Sequence, residues 1–276
     1  MIKLIVDSTF GLADDYIKKH DISIVSLNLL LDNVTTKEGG MDTWDEFYIR
    51  LENSKSFPKT SLPSPQDFIN AIEKIFVKEP MSDIIILTIS ESLSGTINSA
   101  KVAIKNYKGK NIVAIDSKQA TVGSKVVLEK VVEEIEKGIS FDKAVELTNE
   151  TIKKVDLFFV PETMEYLKRG GRIGKLSATI ASILSIKPIF YFKEGVITVS
   201  KKTIGLARAL NEMILQLPKQ FEKIYVCYIH NNQNLQLLAD KVKKALDLKN
   251  VEIMPVSPVF GSHVGIGAIG IAILAK

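Results

Sequence analysis

The chain has 276 residues, 46% of them hydrophobic and 25% charged, with a net charge of +4. This composition suits a globular protein of one large or two medium domains and excludes a disordered or collagen-like chain. The cations are spread along helical patterns without a run long enough for a nucleic-acid arm, so nucleic acid is not an expected partner.

Ile2 to Val6 reads as a first strand ending at Asp7-Ser8-Thr9, without the basic segment and long apolar stretch of a leader. Ile22 to Leu31 contains a second strand. Ser64-Pro65-Gln66-Asp67 is a helix start, with Ser64 at the N-cap, Pro65 at the first helical position and Asp67 in the first turn. Phe68, Ile69, Ile72, Ile75 and Phe76 follow at helical spacing. Ile84 to Ile89 is a third strand, ending at Ser90, and Ile112 to Ile115 a fourth, ending at Asp116-Ser117. Such continuous β-branched runs suit a parallel sheet buried on both faces. Val126 to Ile135 is an amphipathic helix. A polar stretch at Lys153-Lys154 marks the expected boundary between an N-terminal α/β domain, 1–154, and a C-terminal α/β domain, 155–276.

Beyond it, Leu157 to Val160 is a strand, and a short helix from Thr163 to Arg169 ends on the glycine cap Gly170-Gly171. Lys193-Glu194-Gly195 joins two strand-like runs as a hairpin. Strands at Ile224 to Ile229 and Val251 to Val256 flank a helix over Leu235 to Leu246, and Ile269 to Ala275 is a last strand. Cys227 cannot form an internal disulfide and reads as a core residue, which fits a reducing, cytoplasmic setting. No apolar run reaches the ~18 residues of a membrane-spanning helix.

Three small polar motifs stand out at the ends of apolar runs: Thr60 to Pro65, Ser92 to Thr96, and Gly261 to Gly265. They supply hydroxyls, one imidazole and glycines that let backbone N–H groups approach, without a nearby cluster of carboxylates or cysteines. That chemistry suits an oxyanion held without a metal. Ser94 lies beyond the carboxyl end of a strand, where open α/β sheets bind ligands, and beside a helix N-terminus. The plainer reading makes Ser92 or Ser94 a helix cap. Thr60 lies in a loop stiffened by two prolines, which also reads as a rigid connector. His263 is placed in a glycine-rich loop with little bulk to shield it. Asp7-Ser8-Thr9 and Asp116-Ser117 read as turn and cap chemistry. Gly265 to Gly270 spells G-x-G-x-x-G without the following βαβ unit, and Gly174-Lys175-Leu176 lacks the Ser/Thr of a phosphate loop. No Cys/His spacing suits zinc.

Taken in order, Asp7-Ser8-Thr9, Lys59 to Pro65, Leu93 to Thr96, Asp116-Ser117, Leu167 to Ile173, Lys187-Pro188-Ile189 and His263 to Gly270 resemble the DegV family of bacterial fatty-acid-binding proteins. The resemblance implies a two-domain α/β fold that encloses one long-chain fatty acid. It implies that Thr60 and Ser94 bind the carboxylate, with His263 near the head group. It also implies a non-catalytic carrier that presents the lipid to a separate ATP-binding fatty-acid kinase subunit, which makes the acyl phosphate. Arg169, Arg172 and Lys202 are then candidates for contact with that partner. Transient contact with a membrane surface fits as well, and neither cofactor nor metal is implied. The chain departs from the family pattern at Leu62 for Gln, Val264 for Thr, Gly265-Ile266-Gly267 for Gly-Pro-Gly, and Lys202-Thr203 for Arg-Thr. Lys202 keeps the charge but not the bidentate fork of an Arg.

A fatty-acid tail gains ~0.8 kcal/mol per buried methylene, so about fifteen methylenes offer on the order of 12 kcal/mol before ordering costs. Ile180, Ile183, Leu184, Ile186, Ile189, Phe190 and Phe192 are candidates to line a tunnel, or ordinary core. Two rivals remain. One is a Ser/His hydrolase or acyltransferase using Ser94, His263 and Asp116, although the G-x-S-x-G pattern is absent. The other is a regulatory protein whose lipid is structural.

Overall fold

The structure, a computed structural model, describes residues 1–172 and 186–276. Expectations placed on Gly174, Lys175, Leu176, Ile180, Ile183 and Leu184 lie outside the described residues.

β1 (Ile2–Asp7) leads through α1 (Asp14–Lys19) to β2 (Ser23–Val25). The second expected strand splits here. β2 stays beside β1, whereas β3 (Asn28–Leu31) turns into a hairpin with β4 (Val34–Lys37). Asp32 and Asn33 form the turn at φ 51° and 62°, a conformation these two residue types tolerate. After α2 (Trp44–Asn53), β5 (Lys59–Ser61) pairs with the other edge of β3 and completes a small antiparallel sheet, β4-β3-β5. The segment expected as a loop at Thr60 is therefore a strand.

α3 (Pro65–Lys78) starts as the sequence predicts. Ser64 accepts from the Asp67 amide and Asp67 accepts from the Ser64 amide, a reciprocal capping box. β6 (Asp83–Thr88), α4 (Thr96–Ile104) and β7 (Ile112–Asp116) complete the expected parallel sheet, order β2-β1-β6-β7. Its centre is buried on both faces. Ile84 and Ile86 pack with Phe68, Ile72 and Ala100 of the helices, while Ile85 and Leu87 face the main core.

α5 (Thr121–Glu136) and α6 (Phe141–Lys154) precede β8 (Val155–Val160), α7 (Glu165–Gly170), and the hairpin of β9 (Ile186–Lys193) and β10 (Val196–Ile204). Glu194 and Gly195 make the expected turn at φ 50° and 83°, and Gly171 ends α7 at φ 70°. Next come α8 (Leu206–Ile214), β11 (Phe221–Tyr228), α9 (Leu235–Leu246), β12 (Glu252–Pro255), α10 (Pro258–Val264) and β13 (Ile269–Ala275). The second sheet has the order β10-β9-β8-β13-β11-β12, with β11 and β12 parallel and the other neighbours antiparallel. α8 and α9 cover one face; α5 contacts β8, β11 and β13. The helices before the expected boundary thus lie on the sheet that follows it. Cys227 is buried in β11, where burial pushes its thiol up to about 12.

Candidate functional site

Along β5 the side chains alternate, so Lys59 and Ser61 face solvent while Thr60, opposite Leu29 of β3, turns inward. His263 is not in a loop. It occupies the last turn of α10, which begins at Ser257-Pro258 and ends at Gly265, φ 93°. Gly261 lies inside that helix against the Tyr48 ring, where a Cβ would collide with the phenol. The expectation of an unshielded imidazole fails for this reason: α7, α10 and β5 pack around it.

His263 Nε2 stands 2.7 Å from Thr60 Oγ1. Its Nδ1 is buried without a hydrogen-bond partner, and a Cβ on Gly170 would come within 2.7 Å of it. Gly170 therefore lets the end of α7 close over the ring. Burial, reinforced by the charge of Arg172, lowers the imidazolium to about 4, so the ring is neutral at pH 7.

Ser94 lies in the turn between β6 and α4, where the Leu93 and Ser94 amides both donate to the Ser90 carbonyl. The N-cap position of α4 is Gly95, and the Ser94 hydroxyl is 2.9 Å from Thr96 Oγ1. Ser94 is thus not the helix cap. Nor do Ser90 and Ser92 cap it, since both hydroxyls donate to the Gly195 carbonyl and fasten the β9–β10 hairpin to this loop.

Thr60, Ser94 and His263 line one cavity of about 300 Å³. Arg172 lines it too. Its Nη1 donates to the Gly170 carbonyl at 2.6 Å and its Nε to the Leu93 carbonyl at 3.5 Å, so it joins α7 to the Ser94 loop. The guanidinium is half-buried, which lowers its pKa. Leu27, Ile89, Leu93, Ile197, Phe260 and Val264 supply apolar wall. Of the described tunnel-or-core candidates, Ile189, Phe190 and Phe192 are buried and Ile186 is half-buried, and none of the four lines this cavity.

The other candidate cations stand apart from the cavity. Arg169 is exposed, paired with Glu165 at 2.9 Å and stacked 3.9 Å from the centre of the Phe57 ring. Lys202 is exposed on β10, in register with Pro188. Ser94, His263 and Asp116 do not form a triad. Ser94 bonds to Thr96, His263 bonds to Thr60 through Nε2, and the Asp116 carboxylate accepts from the Glu91 and Lys118 amides. Asp7 is a cap, as expected, accepting from Thr9 and from the Ile89 amide. Among the described residues no group of His, Cys, Asp or Glu could hold a metal ion, and no helix is long and apolar enough to cross a membrane.

Arg172 is the cavity residue that the sequence pattern assigned elsewhere.

Comparison with known proteins identifies the family of the chain. A DegV domain-containing protein of Clostridium perfringens is 32% identical over 281 residues, covering 98% of each chain. A stearic-acid-binding protein of Eubacterium ventriosum has a TM-score of 0.89 at 29% identity, covering 100% of this chain and 99% of its own. A fatty acid binding DegV family protein of Streptococcus agalactiae has a TM-score of 0.91 at 26% identity, with the same coverage. The family described as "Uncharacterised protein, DegV family" matches residues 1–276, and the chain belongs to the DegV family.

Proposed function

We propose that this protein binds one long-chain fatty acid with its carboxylate at the Thr60, Ser94, Arg172 and His263 end of the cavity. The observation that carries the reading is a 300 Å³ cavity whose hydrogen-bonding groups lie among apolar walls. A carboxylate only accepts, so the chain of bonds must run as donors: His263 Nε2–H to Thr60 Oγ1, and the Thr60 proton to the ligand. A neutral imidazole can play this part. The hydroxyls come from 1–154 and His263 and Arg172 from 155–276, so the ligand sits where the two proposed domains meet. The structures from Eubacterium ventriosum and Streptococcus agalactiae, both named for fatty-acid binding, support the same ligand class.

The finer reading is that the held carboxylate is presented to a separate ATP-dependent kinase subunit, which converts it to an acyl phosphate. Neutral donors suit this step, because they stabilise the carboxylate without the tight ion pair that would blunt its nucleophilicity. Two of the Arg172 nitrogens are already engaged by carbonyl oxygens. Arg169 and Lys202, both exposed, are the proposed partner contacts.

Denaturing extraction of the purified protein followed by mass spectrometry tests the ligand. A stoichiometric fatty acid is expected, and Thr60→Val with Ser94→Ala should weaken its binding about tenfold or more. An empty protein that takes up no added fatty acid would overturn the reading. Covalent labelling of Ser94 by a fluorophosphonate, with ester turnover, would replace it by the hydrolase. Acyl-phosphate formation on mixing with a kinase subunit and ATP tests the finer reading.

A further inference from the structure

α10 carries Val259, Phe260, His263 and Val264, four residues of the cavity wall, yet it is short and poorly anchored by its own sequence. Ser257 occupies its N-cap position and makes no side-chain cap bond. The amide of Val259 instead donates to Glu38 Oε1 at 2.7 Å, across a sequence separation of 221 residues. Glu38 is 2% exposed. It follows β4 in a loop whose own amide is fixed to the Leu27 carbonyl at 2.8 Å. The Ser8 hydroxyl, at the end of β1, accepts from the Leu27 amide at 3.0 Å. Leu27 itself lines the cavity. The first turn of α10 is therefore tied to the ends of β1 and β2 through one side chain.

The Val259 amide is the partner of Oε1; Oε2 is buried without a hydrogen-bond partner, as is the Ser257 hydroxyl, while Ser8 and the second buried carboxyl, Asp7, lie nearby. Tyr48 bonds the Val256 carbonyl at 2.8 Å, just before α10. Behind Glu38 lies a further cavity of about 240 Å³, lined also by Asp7, Asp14 and Trp44, so no packed side chain substitutes for the carboxylate from that direction.

We propose that Glu38 is the positioning residue of the head-group site: it replaces the missing cap of α10 and so sets the depth at which His263 meets Thr60. The proposal rests on the fatty-acid reading for its functional consequence, but the geometry it predicts exists without ligand. A cap on the second amide of a helix fixes the first turn, and His263 lies four residues further on, about one turn away.

The test compares wild type with Glu38→Ala and Glu38→Gln by nitrogen-15 spectroscopy of the His263 imidazole and by titration with stearic acid. Glu38→Ala is expected to shift the His263 Nε2 signal in the ligand-free protein and to weaken stearic acid binding about tenfold. Glu38→Gln keeps an acceptor for the Val259 amide and should restore both. A carboxylate that merely supported the fold would lower the melting temperature of Glu38→Ala but leave the His263 signal and the affinity of the folded protein alone; that result overturns the proposal. If Glu38→Ala does not fold, Glu38→Asp draws the carboxylate back by one methylene and is expected to show the same two changes in milder form. An unchanged Glu38→Asp would overturn the proposal equally. If wild type takes up no stearic acid, the ligand reading fails, and the ligand-free His263 signal still decides the role of Glu38.

Discussion

His263 and Glu38 are both buried beside the cavity, yet they tilt stability in opposite directions with pH. Burial holds the His263 imidazolium at about 4 against an ordinary 6.5. Between those values the unfolded chain takes up a proton that the native protein refuses. This contribution to stability is complete above pH 6.5 and is lost as pH falls toward 4. Burial raises Glu38 from 4.5 to about 7 and Asp7 from 3.8 to about 6, so native protein holds protons that the unfolded chain has released. That contribution is complete below pH 4 and is lost as pH rises through 7. Removing the Glu38 charge should therefore help most at high pH. Relative to wild type, Glu38→Gln should gain about 3 kcal/mol of unfolding free energy between pH 4.5 and 8, read by denaturant titration at each pH. A difference that does not change with pH would mean that Glu38 ionises freely in the native state. At this scale the sequence was legible where residue type and strand-end position coincide, as at Ser94, whereas Thr60 was singled out only through the family resemblance. The sequence was silent on Glu38 and offered Arg172 only as a partner contact, since their partners Val259 and Leu93 lie 221 and 79 residues away.

Among the elements, the β9–β10 hairpin shows how a turn can close a site. Its tip is clasped by Ser90 and Ser92, and Lys118 adds an ion pair to Glu194 at 3.0 Å. Ile197, just past the turn, lines the cavity. Gly195 has φ 83°, and a Cβ there would lie 2.7 Å from Ser90 Oγ. Gly195→Ala should thus cost about 1–3 kcal/mol and loosen the hairpin from the Ser94 loop. Thermal unfolding checks the cost, and faster amide exchange across β10 checks the loosening; wild-type values for both would remove the hairpin as a cavity wall. The turn was readable from Lys193-Glu194-Gly195, because its chemistry is local. α10 was equally local and was missed. Ser257-Pro258 repeats the cap-and-proline start recognised at Ser64-Pro65, and Gly265 supplies the stop. The glycines at 261 and 265 outweighed that signal, although one of them serves only to make room for Tyr48. β5 was hidden for a different reason: three residues of strand carry too little periodicity to separate from a proline-rich connector.

Across the whole molecule, one continuous core joins the sheets. Leu4 and Val6 of β1, Leu29 of β3, and Phe159 and Ala272 of the six-stranded sheet belong to the same buried cluster. α5 strengthens the junction by lying on β8, β11 and β13 while touching the turn after β1. A shared core of this kind couples the halves, so unfolding should be a single transition. Trp44 fluorescence reports the N-terminal half and far-ultraviolet dichroism the whole chain; their denaturant midpoints should coincide, and two separated midpoints would show independent halves. The parallel sheet was legible because its strands are continuous apolar runs. The packing of α5 and α6 on the later sheet was not, since an amphipathic helix specifies that it is covered and not by what.

The position of β13 has a consequence for biosynthesis. It lies between β8 and β11, so the β10-β9-β8 and β11-β12 portions meet only through residues 269–275. β8 to β12 are made before β13, so until residues 269–275 have emerged the nascent chain leaves the facing edges of β8 and β11 unpaired, the state in which chaperones engage and aggregation competes. His263 and Phe260 are synthesised only just before it. The cavity wall that α10 supplies is therefore among the last parts of this fold to be made, and the cavity is complete only once that helix has packed against β5 and α7.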